Sequence, residues 1–416
     1  MRRLVLALLL SPLPASAARP LTLDEAYRLA LARSEELVQR GADHDILVAQ
    51  AQEVLSRAKP SVSLRGTESI QDIPAGSSGL FLQRYREQAW VTANQPLFSG
   101  FREFLAYRSA KESGEAGALR LERAKHLLYR DVADAYLGLL GAQEEIRIRA
   151  SVLENTMERV KDLRGRLQVG RSRRSELLAA EAQHAAAAAE AEQARAGERR
   201  AQFELRFLTG LEEDAAPAPL GDAPAPPALE AALARARARA DVEARRLDVS
   251  AAERNVKVVS RQRWPTVGVD ANYYLKRPPS FTDKVKWDLV ISGTLPLYGG
   301  GETTAQIRQQ EARTRSARAA HEQAARTAEL EARVAHEDLV ASAGVVSALD
   351  KAAEAAEANA RAQAEDYRLG QVTNLDVLGS LNALQQARLT ASRARLDAWR
   401  ARARLEVAAG LPGGTL

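Results

Sequence analysis

The sequence contains no cysteine among its 416 residues. Disulfide bonds, zinc–thiolate sites and thiol catalysis are therefore excluded, and we expect no lipid attachment at an N-terminal cysteine. The five histidines show no HExxH or other paired-ligand spacing, and the glycines form no GxGxxG or GK[ST] phosphate loop. The composition therefore predicts a protein that is not an enzyme, with no cofactor and no metal site.

Long hydrophobic runs are also missing. In the opening MRRLVLALLLSPLPASAARP the apolar run covers only residues 4–10, whereas a membrane helix needs about 20 apolar residues. The basic start and the small-residue site Ala15-Ser16-Ala17 are typical of a cleaved secretory signal peptide. The alternative is an apolar N-terminal helix of the folded domain. Because no later segment approaches the length of a membrane helix, any membrane span must be made of strands.

The net charge is small for a chain in which 27% of residues are charged. Without Arg2 and Arg3 the formal charge falls from +5 to +3. One basic run, LARARARADVEARR at 233–246, lacks the interleaved aromatic residues that stack on nucleic acid bases. It is more often a solvated helix face, so we predict no nucleic-acid partner.

The chain is an internal repeat. QPLFSG at 95–100 matches LPLYGG at 295–300, and Gly170 and Gly210 match Gly370 and Gly410 at the same offset of 200. Upstream, KPSVSL at 59–64 resembles WPTVGV at 264–269, with the offset increased to 205. Two copies of one structural unit are therefore predicted.

Proline is absent from two long stretches, one between Pro96 and Pro217 and the other between Pro296 and Pro412. Both are rich in strong helix formers, and Gly170 and Gly370 split them near the middle, where a helix can end on a residue that tolerates positive φ. Each copy therefore predicts a helical hairpin. Positions seven apart form its seam, with the 3.5-residue period of a left-handed coiled coil. They are Val132, Leu139, Ile146, Leu153, Val160 and Leu167, then Ala332, Leu339, Val346, Ala353, Ala360 and Tyr367.

Helix lengths predict a rod. Helices over 97–168 and 297–368 would each be about 108 Å long at 1.5 Å per residue. Each would lie antiparallel to two shorter helices stacked end to end, predicted over 23–58 and 172–209 in the first copy and over 229–263 and 373–409 in the second. The resulting division is a signal peptide (1–17), a first repeat (18–211), a Pro/Ala linker (212–228), a second repeat (229–411) and a C-terminal tail (412–416).

Each copy also predicts two strands, near 60–96 and near 265–297. TVGVDANYYL and KWDLVISGTLPL alternate apolar and polar residues, which indicates strands of about ten residues. This is the length and pattern of an outer-membrane strand, and a soluble hairpin packed on a helix is the alternative. Four strands in lipid cannot close a barrel, so such a barrel would be shared between subunits.

The junction between strand and helix is similar in the two copies. A proline at a strand end suits the first turn of the following helix, an aromatic residue two positions later fits the edge of the membrane, and the shared glycine allows a tight turn. The predicted junction residues are Pro96, Phe98, Gly100, Pro296, Tyr298 and Gly300.

YRLGQVTNLDVLGSLNAL at 367–384, together with the duplication and the strand ends, resembles the TolC-like outer-membrane efflux proteins over about residues 20–411. The resemblance implies a mainly α fold with a membrane β-barrel portion. In it a homotrimer shares one barrel in outer-membrane lipid, continued into the periplasm as a helical tunnel. It also implies an exit duct of a tripartite efflux pump or type I secretion system, with a periplasmic adaptor and an inner-membrane transporter as partners. A periplasmic coiled-coil scaffold or adaptor without a pore is the alternative function.

The resemblance also implies a gate at the periplasmic end of the tunnel. Its carboxylates fall on Glu176 and Asp376, with Ser175 beside the first, and its bracing tyrosine falls on Tyr367. Rings of carboxylates supply cation selectivity. Alternatively, these acids only stabilise the helix dipole, by about 0.3 to 1 kcal/mol each.

Two departures from the family pattern leave the gate bonding open. Val372 stands where some members have arginine, and Gly379 stands at a second acidic ring. The hairpin tips would contact the adaptor. The residues expected there are Gly170, Arg171, Arg173, Gly370 and Gln371, and a solubilising role for the tip charges is equally open.

Overall fold

The computed structural model describes residues 20–73, 84–221 and 223–411. The predicted signal peptide and C-terminal tail lie outside the described residues, as do residues 74–83. Within these ranges the fold is mainly helical, with one antiparallel sheet. The helices are α1 (Leu23–Arg33), α2 (Glu35–Ser56), α3 (Arg102–Gln168), α4 (Arg174–Thr209), α5 (Leu229–Arg237), α6 (Ala240–Ser260), α7 (Glu302–Arg368) and α8 (Asn374–Ala408), and the strands are β1 (Ser61–Ile70), β2 (Tyr85–Phe98), β3 (Thr266–Lys276) and β4 (Trp287–Thr294).

The two long helices determine the shape of the molecule. α3 and α7 each contain 67 residues, which gives a length of about 100 Å. α3 packs against α1, α2 and α4, and α7 packs against α5, α6 and α8. No heptad position is exposed, and Val132, Leu139, Ala332 and Leu339 are fully buried. The predicted coiled-coil hairpins are therefore confirmed.

None of the helices in the described ranges combines the length and the apolar character that crossing a membrane requires. Their buried faces are instead dominated by alanine and leucine. Small side chains let helices approach closely, which suits the Ala-rich seam of the second copy.

The prediction of one continuous helix at the start of each copy is wrong. The first copy breaks at Ser34, where the backbone is extended and the side-chain oxygen accepts a hydrogen bond from the Leu37 N–H at 3.3 Å. Serine is a preferred helix N-cap, so α2 begins there. The second copy breaks at the equivalent position, where Arg239 precedes α6.

The sheet has the order β1-β2-β3-β4. Ser61 pairs with Asn94 in the first hairpin, and Thr266 pairs with Thr294 in the second. Each pair of the second hairpin corresponds to a pair of the first when the β3 residue is shifted by the sequence offset of 205 and the β4 residue by the offset of 200. The two copies therefore have hairpins of identical register.

The predicted role of the prolines in the first helical turn is wrong, because α3 begins at Arg102 and α7 at Glu302. Pro96 lies inside β2, beside a register shift between Pro96 and Phe98. Proline has no N–H to donate, and a bulge accommodates it. The chain turns at Gly100 and at Gly300, with φ of 67° and 61°.

A cluster of ion pairs joins the two copies and is called here the central ion-pair cluster: Arg123, Arg239, Asp241 and Glu331. Arg239, only 2% exposed, contacts Asp241 at 2.7 Å and Glu331 at 2.6 Å. Arg123 of α3 lies 3.9 Å from Asp241 and 3.7 Å from Glu331. Both arginines also donate to backbone carbonyls at the end of α8, so the cluster caps that helix as well.

Candidate functional site

The hairpin tips have the same backbone conformation in both copies. Gly170 and Gly370 have φ of 72° and 76°. The next N–H groups, of Arg171 and Gln371, donate to the carbonyls five residues earlier, at 2.8 and 2.9 Å. This is a Schellman motif, which satisfies carbonyls that the helix end leaves free. Both tips are exposed at one end of the rod.

The two predicted gate carboxylates each cap a helix. Glu176 Oε2 accepts hydrogen bonds from the Ser172 hydroxyl at 2.6 Å and from the Arg173 N–H at 3.4 Å. Asp376 Oδ2 accepts from the Thr373 N–H at 2.8 Å and from its hydroxyl at 2.6 Å. These bonds satisfy free N-terminal donors of α4 and α8. The helix-capping role is therefore present, and it leaves the charge of each carboxylate at the tip.

Both carboxylates have lowered pKa values. The hydrogen bond from the Ser172 hydroxyl lowers the pKa of Glu176 below its usual 4.5. The hydrogen bond from Thr373 lowers the pKa of Asp376 below its usual 3.8. Hydrogen bonding to the charged form favours that form. The two groups therefore carry negative charge at neutral pH, and each keeps it to a lower pH than an ordinary carboxyl group of its kind.

Tyr367 is held by arginines of the other repeat. The Arg159 guanidinium lies 3.9 Å from the centre of the Tyr367 ring, and that of Arg166 lies 5.0 Å away. Arg159 Nε also donates to Asn374 Oδ1 at 2.6 Å. We call Arg159, Tyr367 and Asn374 the tip clamp. It connects α3 of the first hairpin to the end of α7 and the start of α8 in the second.

The tip clamp is shielded from solvent. The Arg159 side chain is 14% exposed and Asn374 is 3% exposed, so its interactions are stronger than the same contacts in water. Burial lowers the pKa of Arg159, but a guanidinium remains charged. Asp162 lies 3.7 Å from Arg159 and 3.0 Å from Arg166 and holds both against the tyrosine.

The structure brings the four predicted gate residues to one end of the rod, but their partners there are residues that the sequence analysis did not single out. Tyr367 contacts Arg159 rather than Glu176 or Asp376, and Ser175 is exposed. Some family members have an arginine at the position of Val372. Here Arg159 and Arg166 place positive charge beside Tyr367 instead. The sequence held one signal for these two arginines. They are seven residues apart, and each lies one position before a seam residue, Val160 or Leu167, which places both beside the helix contact.

The predicted junction residues lie at the other end, where the strands meet the long helices. Phe98 packs edge-on against Phe101 at 5.5 Å and tilted against Trp264 at 6.4 Å. A Cβ on Gly100 would lie 3.0 Å from the Trp264 Cβ. The second junction is open, because Tyr298 is 91% exposed and a Cβ on Gly300 would meet nothing within 4 Å.

With a duplicated rod and a four-stranded sheet established, the family follows from direct comparison. The family model described as "Outer membrane efflux protein" matches residues 26–211 and 229–411. The chain belongs to this family. The resemblance to TolC-like proteins is therefore confirmed, and with it the outer-membrane location and the function of an efflux channel. The family consists of transport channels, and the pore-less scaffold is set aside.

Individual relatives agree with this assignment. The outer membrane efflux protein BepC of Brucella suis is 28% identical over 314 residues, which cover 74% of this chain and 68% of that protein. The alkaline protease secretion protein AprF of Pseudomonas aeruginosa is 26% identical over 333 residues, which cover 77% and 69%. The solved structure of VceC, an outer membrane protein of Vibrio cholerae, superposes with a TM-score of 0.82 at 18% identity, over 94% of this chain and 97% of that one. VceC therefore shares the fold.

Proposed function

We propose that three copies of this chain form the exit duct of a tripartite efflux pump or type I secretion system. Their sheets make one barrel in the outer membrane, and their rods make a periplasmic tunnel. The observation that carries this proposal is the four-stranded sheet at one end of the rod. All of β1 and nearly all of β4 are exposed. Such open edges require pairing before the sheet can enter lipid, since each unpaired backbone group there costs several kcal/mol.

The hairpin tips form the opposite end of the duct and its gate. In each subunit the tip clamp holds the second hairpin against the first. The tunnel therefore narrows where the two tips converge. Releasing the clamp frees the α7–α8 tip to move outward from α3. The gate therefore opens by separating two hairpins of one subunit, and the energy that holds it closed comes from the stacking of Arg159 on Tyr367 and its bond to Asn374.

The carboxylates at the tips give the duct its ion preference. Glu176 and Asp376 are repeated around the trimer and stay charged because their caps stabilise the charged form. A ring of carboxylates attracts cations and repels anions at a constriction. The caps also fix where those charges lie, because each carboxylate is tied to its own helix start.

The exposed tips are the docking surface for a periplasmic adaptor, which in turn contacts the inner-membrane transporter. Arg171 and Arg173 make the first tip basic, whereas Gln371 makes the second nearly neutral. An adaptor with acidic residues opposite the first tip fits this pattern. The transported substrate is then selected by the inner-membrane partner.

Charge removal at the tips tests the ion preference. The double variant Glu176→Gln, Asp376→Asn keeps acceptor atoms for the caps and removes both charges. We expect cation selectivity to fall severalfold while the protein still folds and inserts. Reversal potentials in planar bilayers under a salt gradient measure this change.

The matched control is Glu181→Gln, on the same helix as Glu176, where Arg164 already neutralises the carboxylate at 2.8 Å. It should leave the reversal potential unchanged. If the double variant also leaves it unchanged, Glu176 and Asp376 serve only as helix caps.

A further inference from the structure

The two faces of the sheet differ in polarity. Side chains alternate between the faces along each strand, and residues opposite each other on neighbouring strands share a face. One face is apolar and exposes large side chains: Val62, Leu64, Tyr273, Trp287, Leu289 and Ile291. The other face carries mostly hydroxyl, amide and charged side chains. In the proposed barrel the apolar face therefore contacts lipid and the polar face lines the lumen.

Near the rod the polar face is acidic. Ser61, Asn94 and Asp270 lie side by side across β1, β2 and β3. The Asn94 amide donates to Asp270 Oδ1 at 2.6 Å, which positions the carboxylate without neutralising it. One step farther from the rod, Asp288 lies 3.6 Å from the Arg277 guanidinium, so its charge is balanced. We call the Asp270 carboxylates of the assembled copies the inner ring.

Farther from the rod the polar face is basic. Arg65 lies opposite Trp90, and Trp90 lies opposite Tyr274. The Tyr274 N–H donates to the Lys286 carbonyl at 2.8 Å, which continues the ladder, so Lys286 lies at the same level and on the same face. Arg86, four residues from Trp90 on β2 and farther from the rod, adds a positive charge near the end of the sheet. We call Arg65, Arg86 and Lys286 of the assembled copies the outer ring.

The two rings are electrically separate. Two ion pairs lie in the described part of the sheet, Lys276 with Glu87 and Arg277 with Asp288, and neither includes a residue of the rings. The inner ring and the nearest level of the outer ring are four residues apart along β1, or about 14 Å. This distance exceeds the Debye length of about 8 Å at physiological ionic strength. Each ring therefore sets the potential of its own part of the lumen.

We propose that the outer ring makes the external mouth of the duct prefer anions and keeps cationic solutes from entering the barrel from outside. The mouth thus has a preference opposite to that of the tips. Each chain contributes three cations to the outer ring and one carboxylate to the inner ring. This inference rests on the proposed duct and adds a second site of charge selection to it.

The field of the outer ring extends across the lumen. Three copies of the four-stranded sheet give twelve strands, which at a spacing of about 4.8 Å and a tilt of about 40° place the wall roughly 12 Å from the axis. Arginine and lysine side chains extend several ångströms inward from that wall. The Debye length is about 10 Å at 0.1 M salt and about 3 Å at 1 M. The ring therefore acts on every solute in the mouth at low salt and only near the wall at high salt.

Charged thiol reagents test this potential locally, because the chain has no cysteine of its own. Conductance is limited by the closed tips and does not report on the mouth. Thr67→Cys lies on the polar face between Arg65 and Arg86, and Ser61→Cys lies at the level of the inner ring. The detergent-extracted protein is treated with an anionic and a cationic methanethiosulfonate, and each rate is divided by that for free mercaptoethanol. The ratio of the two corrected rates cancels the reactivity of the thiolate itself.

The anionic-to-cationic ratio should be higher at Thr67→Cys than at Ser61→Cys. Because the reagents differ by two charges, a potential difference of about 1 kT per unit charge changes the ratio about sevenfold. At 0.1 M salt we expect at least this difference, and at 1 M salt the two ratios should converge. Equal ratios at both salt concentrations would overturn the inference and leave the proposed duct intact.

Two further variants identify the residues responsible. In the Thr67→Cys background, Arg65→Gln should lower the ratio severalfold at low salt. The control is Lys276→Gln, which removes a cation that lies opposite Ala89 on the apolar face and is paired with Glu87, and it should leave the ratio unchanged. An equal effect of the two variants would overturn the role of the outer ring.

Val62→Cys tests the barrel itself. Val62 is 69% exposed in the single chain but lies on the apolar face, so detergent or lipid should cover it and both charged reagents should react slowly there. If Val62→Cys reacts as fast as its neighbour Ser61→Cys, the apolar face does not lie in the membrane. That result would contradict the proposed duct, and with it the inference.

Discussion

The Arg159→Ala variant is expected to open the channel. The substitution removes the cation stacked on Tyr367 and the charged hydrogen bond to Asn374. A shielded cation–π contact and a charge-assisted hydrogen bond together contribute about 3 kcal/mol. If the open state lacks both, the closed-to-open ratio falls about a hundredfold per subunit, at 1.4 kcal/mol per tenfold. Single-channel recordings should show a large increase in conductance and in the open fraction.

A surface arginine on the same helix provides the control. Arg164 lies five residues further along α3, is 60% exposed and pairs with Glu181 within its own hairpin. Arg164→Ala removes the same side chain without touching the second hairpin, so conductance should match the wild type. Equal conductance of Arg159→Ala and Arg164→Ala would show that the tip clamp does not hold the gate.

Replacing Arg239 with alanine is expected to cause the largest loss of stability. Burial alone would lower the pKa of Arg239, but hydrogen bonds to Asp241 and Glu331 raise it above its usual value, so the group is charged in the fold. Removing it leaves both carboxylates to the more distant Arg123, which keeps its hydrogen bond to the Val407 carbonyl, and the Ala408 carbonyl at the end of α8 loses its arginine donor. Because Asp241 and Glu331 are partly solvated, we expect a loss of about 3 kcal/mol, the lower end for a broken buried pair. Thermal unfolding followed by circular dichroism measures this loss.

The control variant is Arg237→Ala, two residues earlier in the chain. It also removes a paired arginine, but an exposed one, so comparing the two variants separates the effect of burial from that of charge. It pairs with Glu329 at 2.6 Å but is 57% exposed. Solvent screens an exposed ion pair, which therefore contributes little to stability, so Arg237→Ala should barely change the unfolding temperature. A similar shift for both variants would show that the central ion-pair cluster has no special role in joining the repeats.

The repeat and its helices could be predicted because their signals are local or periodic. The matching strand-end motifs, the heptads and the paired tip glycines required no knowledge of the fold. The helix break at Ser34 was missed because a single serine in a helical pattern is tolerated in helices as well as favoured at N-caps. The predicted start of α3 is five residues too early. Either the proline or the glycine turn that follows it could mark the start of the helix, and the sequence does not show which.

The tip clamp could not be predicted because it depends on a contact between helices distant in sequence. Arg159 and Asn374 are 215 residues apart, and although Asn374 lies within the stretch 367–384 that carries the resemblance, no sequence signal links it to Arg159. The carboxylates were found by resemblance, but their caps became visible only with the backbone. Arg239 was assigned to a solvated basic face with its neighbours, and Arg237 does lie on such a face. The burial of Arg239 follows from the break between α5 and α6, which turns it toward α7.

Planar-bilayer recording of the detergent-extracted wild-type protein tests the central claim most directly. If three copies form a gated duct through the outer membrane, the protein should insert and give discrete, small, cation-selective conductance steps. Recovery in the soluble fraction, with no insertion and no steps, would contradict the channel.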